Sequence, residues 1–122
     1  MKPQELRQRL ADFARDVRLF ARPLLNDLVT RDIALQVMAS SSSAASNHRA
    51  AGRGRSHAEF TAKIGTALEE ADETQHWLEH LRDCGLANIA QLRPLLKEAG
   101  EIVAILTTSC STARSNGRRR RD

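Results

Sequence analysis

The chain has 122 residues, enough for one domain, and 41% hydrophobic with 28% charged residues is the composition of a folded globular protein. Aromatic residues make up only 3% and tyrosine is absent, which argues against β-sandwiches and barrels and favours helices. No apolar stretch approaches the roughly 20 residues that span a bilayer, and no apolar segment follows the first residues as in a secretory signal. We therefore expect a cytoplasmic helical protein with no membrane partner.

The formal net charge of +4 is concentrated in the last ten residues, which carry five arginines and one aspartate. The first 112 residues are therefore neutral overall. Because the last residues contain almost nothing apolar to bury, they are predicted to be disordered. The predicted organisation is a helical domain over residues 1–112 and a disordered arginine-rich tail over 113–122.

Two helices are predicted in the first half of the chain. The first ends or kinks near Pro23, because proline lacks a backbone donor and disfavours helical geometry in the residue before it. The second runs from about Val29 to Ala51. The inward face of the first comprises Leu6, Leu10, Phe13, Val17, Phe20 and Leu24, and that of the second Ile33, Val37, Ser40, Ala44, Asn47 and Ala51. Leu35, Met38 and Ala45 lie on other faces of the second helix, which predicts a second contact surface there.

Two further helices are predicted in the second half. Ser56 and Glu59 form a capping box at the start of the third, and Gly85 is a suitable residue to end it. Asn88 can cap the fourth, and Pro94 is expected to break its first turn. Short connections predict an all-α fold, an antiparallel up-and-down four-helix bundle. The inward rows are Phe60, Ile64, Ala67, Ala71, Thr74, Leu78 and Leu81, then Ile89, Leu92, Leu96, Ala99, Val103, Leu106 and Cys110. Cys84 and Cys110 are interpreted as reduced packing residues.

One block of sequence resembles a known family. Residues 46–56 read SNHRAAGRGRS, followed by AEF at 58–60, KIG at 63–65 and the acidic run at 69–74 before Trp77. The block resembles the bacterial four-helix-bundle proteins found in 23S rRNA intervening sequences. The resemblance covers nearly the whole chain before the arginine tail, although His48 stands where that family has an aromatic residue.

This resemblance implies a compact bundle that assembles as a homopentamer. A related protein, the accessory variability protein of diversity-generating retroelements, is similar in fold and binds nucleic acid and a reverse transcriptase through its basic surface. The resemblance therefore implies, as partners, further copies of this chain, an RNA or DNA backbone, and a reverse transcriptase or another protein.

Basic residues on the first helix, on the Arg49–Arg55 segment and in the tail are candidates for contacting phosphates. A row of positively charged side chains can bind successive phosphates of a nucleic-acid backbone without recognising its base sequence. The alternatives are a solvated helix face with pairs such as Asp12 with Arg15, and ion pairs between the Arg49–Arg55 segment and the acidic residues of the third helix. The candidates are Arg7, Arg15, Arg18, Arg22, Arg49, Arg53, Arg55, Lys63, Arg118, Arg119, Arg120 and Arg121.

A second group of residues is a candidate for an oligomer interface or for structural ion pairs. Trp77 lies off the axis of its helix's core face, so it belongs either to a subunit interface or to a wide apolar stripe. Asn47 needs hydrogen-bond partners on the inward face and is expected to orient neighbouring helices. The acidic partners considered for the arginines are Glu69, Glu70, Asp72 and Glu73. The candidate set is Leu35, Met38, Asn47, Glu70, Asp72 and Trp77.

No catalytic or metal site is predicted. Glu73 and His76 match the E-x-x-H spacing of di-iron bundles, and His80 follows four residues later. A di-iron site needs a second such motif and inward carboxylates on other helices, and these residues instead lie opposite the core face. The serines at 40–43 lack a nucleophile elbow or a positioned base. We therefore expect no cofactor and no enzyme activity.

Three functions remain open at the level of sequence. The first is a non-enzymatic oligomeric bundle that binds RNA or DNA backbones, as an accessory to a nucleic-acid enzyme such as a reverse transcriptase. The second is a protein-interaction scaffold with no direct nucleic-acid role. A membrane-surface anchor formed by the arginine tail is the third and weakest, since no acylation site or amphipathic helix accompanies it.

Overall fold

Four α-helices pack side by side in chain order, and the computed structural model describes residues 1–121, with side chains up to Arg119. The helices are α1 Pro3–Ala21, α2 Arg31–Ala51, α3 His57–Asp83 and α4 Ile89–Arg121, with a 3₁₀ helix, Arg22–Asn26, between α1 and α2. Each helix packs against the next, and α1 also contacts α4. The prediction of an all-α antiparallel four-helix bundle is confirmed.

The connection between α1 and α2 is built around Pro23, as the sequence predicts. The α-helix ends at Ala21 and Pro23 lies in the 3₁₀ turn that follows. Asp27 then turns the chain: its side chain accepts a hydrogen bond from the Val29 backbone N–H at 2.9 Å. Thr30 is buried and donates its hydroxyl to the Leu24 carbonyl at 2.7 Å, which ties the start of α2 to the turn.

Both predicted ends of α3 are present. The Ser56 hydroxyl accepts a hydrogen bond from the Glu59 backbone N–H at 3.0 Å. The Glu59 carboxylate accepts from the Arg55 N–H at 3.4 Å, one residue before the position that a capping box predicts. Gly85 has a φ of 64°, the left-handed conformation that commonly ends a helix.

The core lies between all four helices and is made mainly of aliphatic residues, with Phe13 among them. Leu10, Val37, Leu78 and Leu106 are fully buried in it. Met38, expected on an outer face of α2, is also buried in this core. The reason is that the inward face of α2 is wider than one row and includes Ala34, Met38 and Ser41. Met38 is therefore covered by its own chain.

The inward face of α4 differs from the predicted row. Leu95 and Ile102 are buried, whereas the predicted Leu96 and Val103 are only partly covered and Ile89 is exposed. The apolar stripe of α4 is wide enough for either edge to face inward, and packing selects the edge.

Pro94 does not break α4, contrary to prediction. It lies inside the helix, and the backbone N–H of Leu92 bonds to the Asn88 carbonyl before it. Proline removes one backbone donor near the start of the helix, so the carbonyl of Ala90 loses its helical hydrogen bond. Ala90 is exposed, and water can bond to that carbonyl instead.

Cys84 is exposed and Cys110 is buried, so only Cys110 is a packing residue.

The predicted disordered tail is the largest difference between expectation and structure. The α4 helix continues to Arg121, past the boundary predicted at residue 112. Ala113 is buried, and its carbonyl lies 2.7 Å from His57 Nε2 at the start of α3. Gly117 lies so close to the His57 ring that a Cβ there would be 3.2 Å from it. Asp122 and the side chains of Arg120 and Arg121 lie outside the described residues.

Among the described residues, no helix is long and apolar enough to cross a membrane.

Candidate nucleic-acid interface

Basic side chains collect at one end of the bundle. Because successive helices alternate in direction, this end contains the start of α1, the end of α2, the start of α3 and the end of α4. Within the described part of the chain, none of the basic residues that we group there forms an ion pair, whereas Arg9, two residues beyond Arg7 on α1, pairs with Glu98. We call this the basic end; its residues are Arg7, Arg49, Arg53, Arg55, Lys63, Arg114, Arg118 and Arg119.

A groove between α1 and α2 brings several of these residues together. We define this α1–α2 groove by its lining residues Arg7, Gln8, Ala11, Ala45, Ser46, Arg49 and Arg53. Ala11 and Ala45 also line it, and their small side chains leave room for polar groups of a ligand beside the guanidinium groups. Arg7 lies on α1, Arg49 on α2 and Arg53 in the turn after α2, and the sequence places the last two 42 and 46 residues away from Arg7.

The predicted arginine row on α1 is only partly available. Arg18 points toward α2 and donates to the Ser42 hydroxyl at 3.1 Å. Arg15 is instead bound to acidic neighbours, at 3.7 Å from Asp12 and 3.2 Å from Asp16. Arg15 is therefore neutralised within α1, as the sequence-level alternative proposed, while Arg7 remains free of ion pairs.

The remaining predicted basic residues lie outside the groove. Arg22 is exposed on the 3₁₀ helix, Arg55 is exposed in the loop before α3, and Lys63 is half-buried on α3. Arg118 lines a second cleft, between the start of α3 and the end of α4.

The α3–α4 cleft also contains a basic residue that sequence reasoning did not select. Arg114 lines it beside Arg118, with His57 and Thr61 on the opposite side. The sequence pattern assigns Arg114 to a disordered tail, and only the continuation of α4 gives it a fixed position. The Thr61 hydroxyl oxygen in this cleft is buried without a hydrogen-bond partner.

The acidic residues of α3 do not neutralise the basic end within one chain. Among the described residues, neither Glu69, Glu70, Asp72 nor Glu73 forms an ion pair. Burial, with the nearby charges of Glu73 and Glu69, raises the pKa of Glu70. A carboxylate paired to arginine would have its pKa lowered, and no cation is among the causes of the shift of Glu70.

Asn47 and Trp77 both find partners within their own chain. The Asn47 amide donates to the Ser43 carbonyl at 2.9 Å, so it bonds within α2 and does not orient a neighbouring helix as expected. Trp77 is partly buried against the core and donates to Glu73 Oε1 at 3.4 Å. His76 and His80 contact its ring edge-to-face. This environment fits the wide apolar stripe considered for Trp77.

His48 lies beside the α1–α2 groove in a small cleft with Pro3, Gln4, Arg7, Arg49 and Gly52. The residue is half-buried, and its Nδ1 atom is shielded from solvent without a hydrogen-bond partner. Burial, and then the positive charge of Arg7, lowers the pKa of His48. No carboxylate lines this cleft.

The described residues contain no cluster of three or more histidine, cysteine or acidic side chains that could hold a metal ion. His80 instead contacts the exposed Cys84 thiol, with Sγ 3.7 Å from Nε2.

The fold and this basic end define the class of protein as a small helical bundle with a positively charged end. The model of the 23S rRNA-intervening sequence protein family matches residues 3–108, and the chain belongs to that family. It is also similar to a crystal structure of a protein of unknown function from the S23 ribosomal protein family of Bacteroides thetaiotaomicron, with a TM-score of 0.79 and 27% sequence identity. That similarity covers 86% of this chain and 97% of the other. A comparison with curated proteins finds no match.

Proposed function

We propose that this protein binds RNA or DNA backbones through its basic end and performs no catalysis. The observation that carries the proposal is the α1–α2 groove, where Arg7, Arg49 and Arg53 converge and, among the described residues, have no carboxylate partner. Unpaired guanidinium groups can bind phosphate oxygens with two parallel hydrogen bonds. The groove therefore suits the sugar–phosphate backbone.

Binding of this kind does not depend on base sequence. The lining of the α1–α2 groove includes no aromatic side chain on which bases could stack, and backbone contacts alone carry no sequence information. We expect RNA and DNA of unrelated sequences to bind with similar affinity. The proposed biological setting is that of an oligomer accessory to a nucleic-acid enzyme such as a reverse transcriptase, by analogy with the retroelement protein that is related to the family this sequence resembles.

Fluorescence anisotropy of labelled single-stranded RNA and duplex DNA tests the proposal, with the full chain and a series of salt concentrations. Affinity should fall steeply as salt rises, because binding releases condensed counterions. Arg49→Gln and Arg53→Gln should each weaken binding and make the slope of log K against log salt shallower by about 0.9 per lost contact on duplex DNA.

Arg15→Gln is the matched control, since it removes the same charge from a guanidinium that is already paired to Asp12 and Asp16. It should change affinity less than the groove variants. Equal effects of all three substitutions would indicate diffuse attraction to net charge and would contradict a groove site.

A second candidate function, a protein-interaction scaffold, is favoured by a separate observation at the opposite end of the bundle. Apart from Met1, every large hydrophobic residue classed as exposed in the described chain lies where α1 ends and α2 and α4 begin. Leu28 is 81% exposed and Val29 62%. Apolar surface concentrated in this way is typical of an interaction site. The exposed residues are Leu19, Leu28, Val29, Leu35 and Ile89.

We propose that this apolar end contributes to a homo-oligomer, a pentamer in the arrangement that the resemblance implies. Light scattering should give a mass of several chains for the natural sequence and a lower mass for Leu28→Asp with Val29→Asp. Ala104→Asp, an added charge at an exposed position on α4, should leave the mass unchanged. A mass equal to one chain for the natural sequence would exclude the oligomer.

A further inference from the structure

The cleft beside His48 adjoins the α1–α2 groove at the basic end and shares Arg7 and Arg49 with it. It is formed by the first turn and a half of α1 and the last turn of α2, and Arg7, His48 and Arg49 all line it. Gln4 lies in the first turn of α1, where backbone N–H groups lack partners within the helix. The positive end of the α1 dipole also favours an anion here.

The unpartnered ring nitrogen determines how His48 can act in this cleft. A buried N–H without an acceptor is costly, so the neutral ring carries its proton on Nε2 and leaves Nδ1 unprotonated. Nε2 is the ring nitrogen that retains access to solvent. His48 therefore offers one N–H donor while it is neutral, and it acquires a positive charge only if an anion offsets the cost imposed by Arg7 and by burial.

We propose that this cleft is a phosphate-binding site in which Arg7, Arg49 and His48 Nε2–H bind the oxygens of one phosphate group. The inference deepens the proposed function, on which it rests, by assigning one backbone phosphate to a defined site. Only cationic and neutral polar or small residues line the cleft, so no carboxylate competes with the anion. The arrangement of two guanidinium groups and one imidazole suits phosphate, whose several oxygens can accept bonds from different directions.

Binding of a phosphate in this position has a specific electrostatic consequence. Protonation adds the second proton to the buried Nδ1, and the anion opposes the charge of Arg7 and offsets part of that cost, so the pKa of His48 should rise when phosphate binds. Protonated His48 then adds a third cation to the site. Affinity for phosphate should accordingly increase as pH falls through the pKa of His48 in the bound state. The charged groups that face His48 are Arg7 on α1 and Arg49 on α2.

The test is a pH titration of the imidazole signals by nitrogen-15 NMR, in inorganic phosphate and in chloride of matched ionic strength. Phosphate should raise the pKa of His48, while His76 and His80, far along α3 at Trp77, serve as internal controls that should respond equally in both salts. An unchanged pKa of His48 overturns the site. A rise shared equally by all three histidines also overturns it, because it reports a general salt effect.

Variants assign the effect to the cleft. The phosphate-induced rise should disappear in Arg7→Gln and in Arg49→Gln and persist in Arg15→Gln. Because Arg7 itself lowers the pKa of His48, Arg7→Gln shifts the starting value, and the difference between the two salts is the quantity to compare. A rise that persists in the double variant Arg7→Gln with Arg49→Gln overturns the proposed ligands.

Anisotropy on the same samples separates this inference from the proposed function. If RNA and DNA bind with a steep salt dependence while phosphate leaves His48 unchanged, the phosphate site fails and the proposed function stands. If phosphate raises the pKa of His48 but no nucleic acid binds, the proposed function fails and the site is one for a free phosphate group.

Discussion

At the scale of single residues, the contact between Arg9 and Glu98 joins parts of the chain that the sequence separates by 89 positions. Arg9 Nη2 lies 2.6 Å from Glu98 Oε1 and Nε lies 2.8 Å from Oε2, so the pair is bidentate. Hydrogen bonding to Glu98 raises the pKa of Arg9. Both side chains are about three-quarters shielded from solvent, and the pair crosses the seam between α1 and α4.

We expect Arg9→Gln to lower the free energy of unfolding by about 1 kcal/mol. This is the upper end of the usual contribution of a partly exposed ion pair, because the geometry of this pair is bidentate. Urea denaturation at neutral pH measures the change. Arg15→Gln, whose partners lie on its own helix, should cost less than about 0.5 kcal/mol. An equal decrease in the free energy of unfolding in the two variants would mean that the ion pair between α1 and α4 adds nothing to stability.

His48 should give stability a specific pH dependence. Its pKa in the folded protein is lowered from the ordinary 6.5, so in mildly acidic solution the unfolded chain binds a proton that the folded chain does not. The free energy of unfolding should therefore fall as pH drops below about 6.5 and continue to fall until the folded pKa is reached.

The measurement is the urea midpoint in phosphate-free buffer at several pH values. His48→Gln should flatten the dependence, and His76→Gln, which removes an exposed imidazole, should flatten it less. A slope that is the same in His48→Gln and in the natural sequence would contradict the assignment to His48.

At the scale of elements, α2 and α3 are held in register by a buried polar contact between helices. The hydroxyls of Ser40 and Thr74 lie 2.6 Å apart, and both residues are buried. Small side chains on α2 allow the helices to approach, and the hydroxyl pair selects one alignment among several that small residues would permit. The sequence places both residues on inward faces, but their pairing depends on how far one helix slides along the other.

Thr74→Val should lower the free energy of unfolding by about 1–2 kcal/mol, because it leaves the buried Ser40 hydroxyl without its interhelical partner. Ser40→Ala combined with Thr74→Val should cost less than the sum of the single changes. Chemical denaturation of the four proteins measures this coupling. Additive losses would show that the two hydroxyls do not interact.

Gly85 and Gly65 offer a matched pair of glycines on α3 and at its end. Gly85→Ala should lower the free energy of unfolding by about 1 kcal/mol, because a residue with a Cβ disfavours the φ of 64°. Steric contact is not the cause, since a Cβ at this position would have no neighbouring atom within 4 Å. Gly65→Ala also meets nothing within 4 Å but lies within the helix, so it should raise the same quantity by about 0.5–1 kcal/mol. Thermal unfolding distinguishes the two, and a shift of the same sign in both would contradict the conformational argument.

At the scale of the whole molecule, the bundle is polarised, with a basic end and an opposite end that exposes apolar residues. This polarity follows from the alternation of helix direction, which brings the basic start of one helix beside the basic end of the next. The extension of α4 adds Arg114 and Arg118 to the basic end and holds them there through the contacts of Ala113 and Gly117 with α3.

A chain ending at Thr112 should therefore be less stable than the full chain by about 1 kcal/mol or more, since it loses the buried Ala113 and the His57 hydrogen bond. A chain ending at Arg119 keeps both contacts and should unfold at the denaturant concentration of the full chain. Urea midpoints measure the difference. If ending at Thr112 had no effect, the residues after it would behave as the disordered tail that the sequence predicts.

Much of the fold could be predicted because it depends on local chemistry. The apolar periodicity of α1, the Ser56 cap and the Gly85 terminus each act within a few residues, and all three are present in the structure. The candidate site was predictable only in part. Charge alone identifies Arg7, Arg49 and Arg53, but it also selects Arg15, which is paired, and the tail assignment leaves out Arg114.

Hydrophobic period and capping are local properties, so the amino-acid sequence alone establishes the helical class, the number of helices and most of their inward faces. Three features instead required the packed bundle: which edge of the wide α4 stripe is buried, the continuation of α4 past residue 112, and the meeting of Arg7 with Arg49 and Arg53 across one groove. These features depend on the rotation and sliding of one helix against another. Side-chain packing and a few hydrogen bonds between helices determine this rotation and sliding, which the sequence of a single helix does not specify.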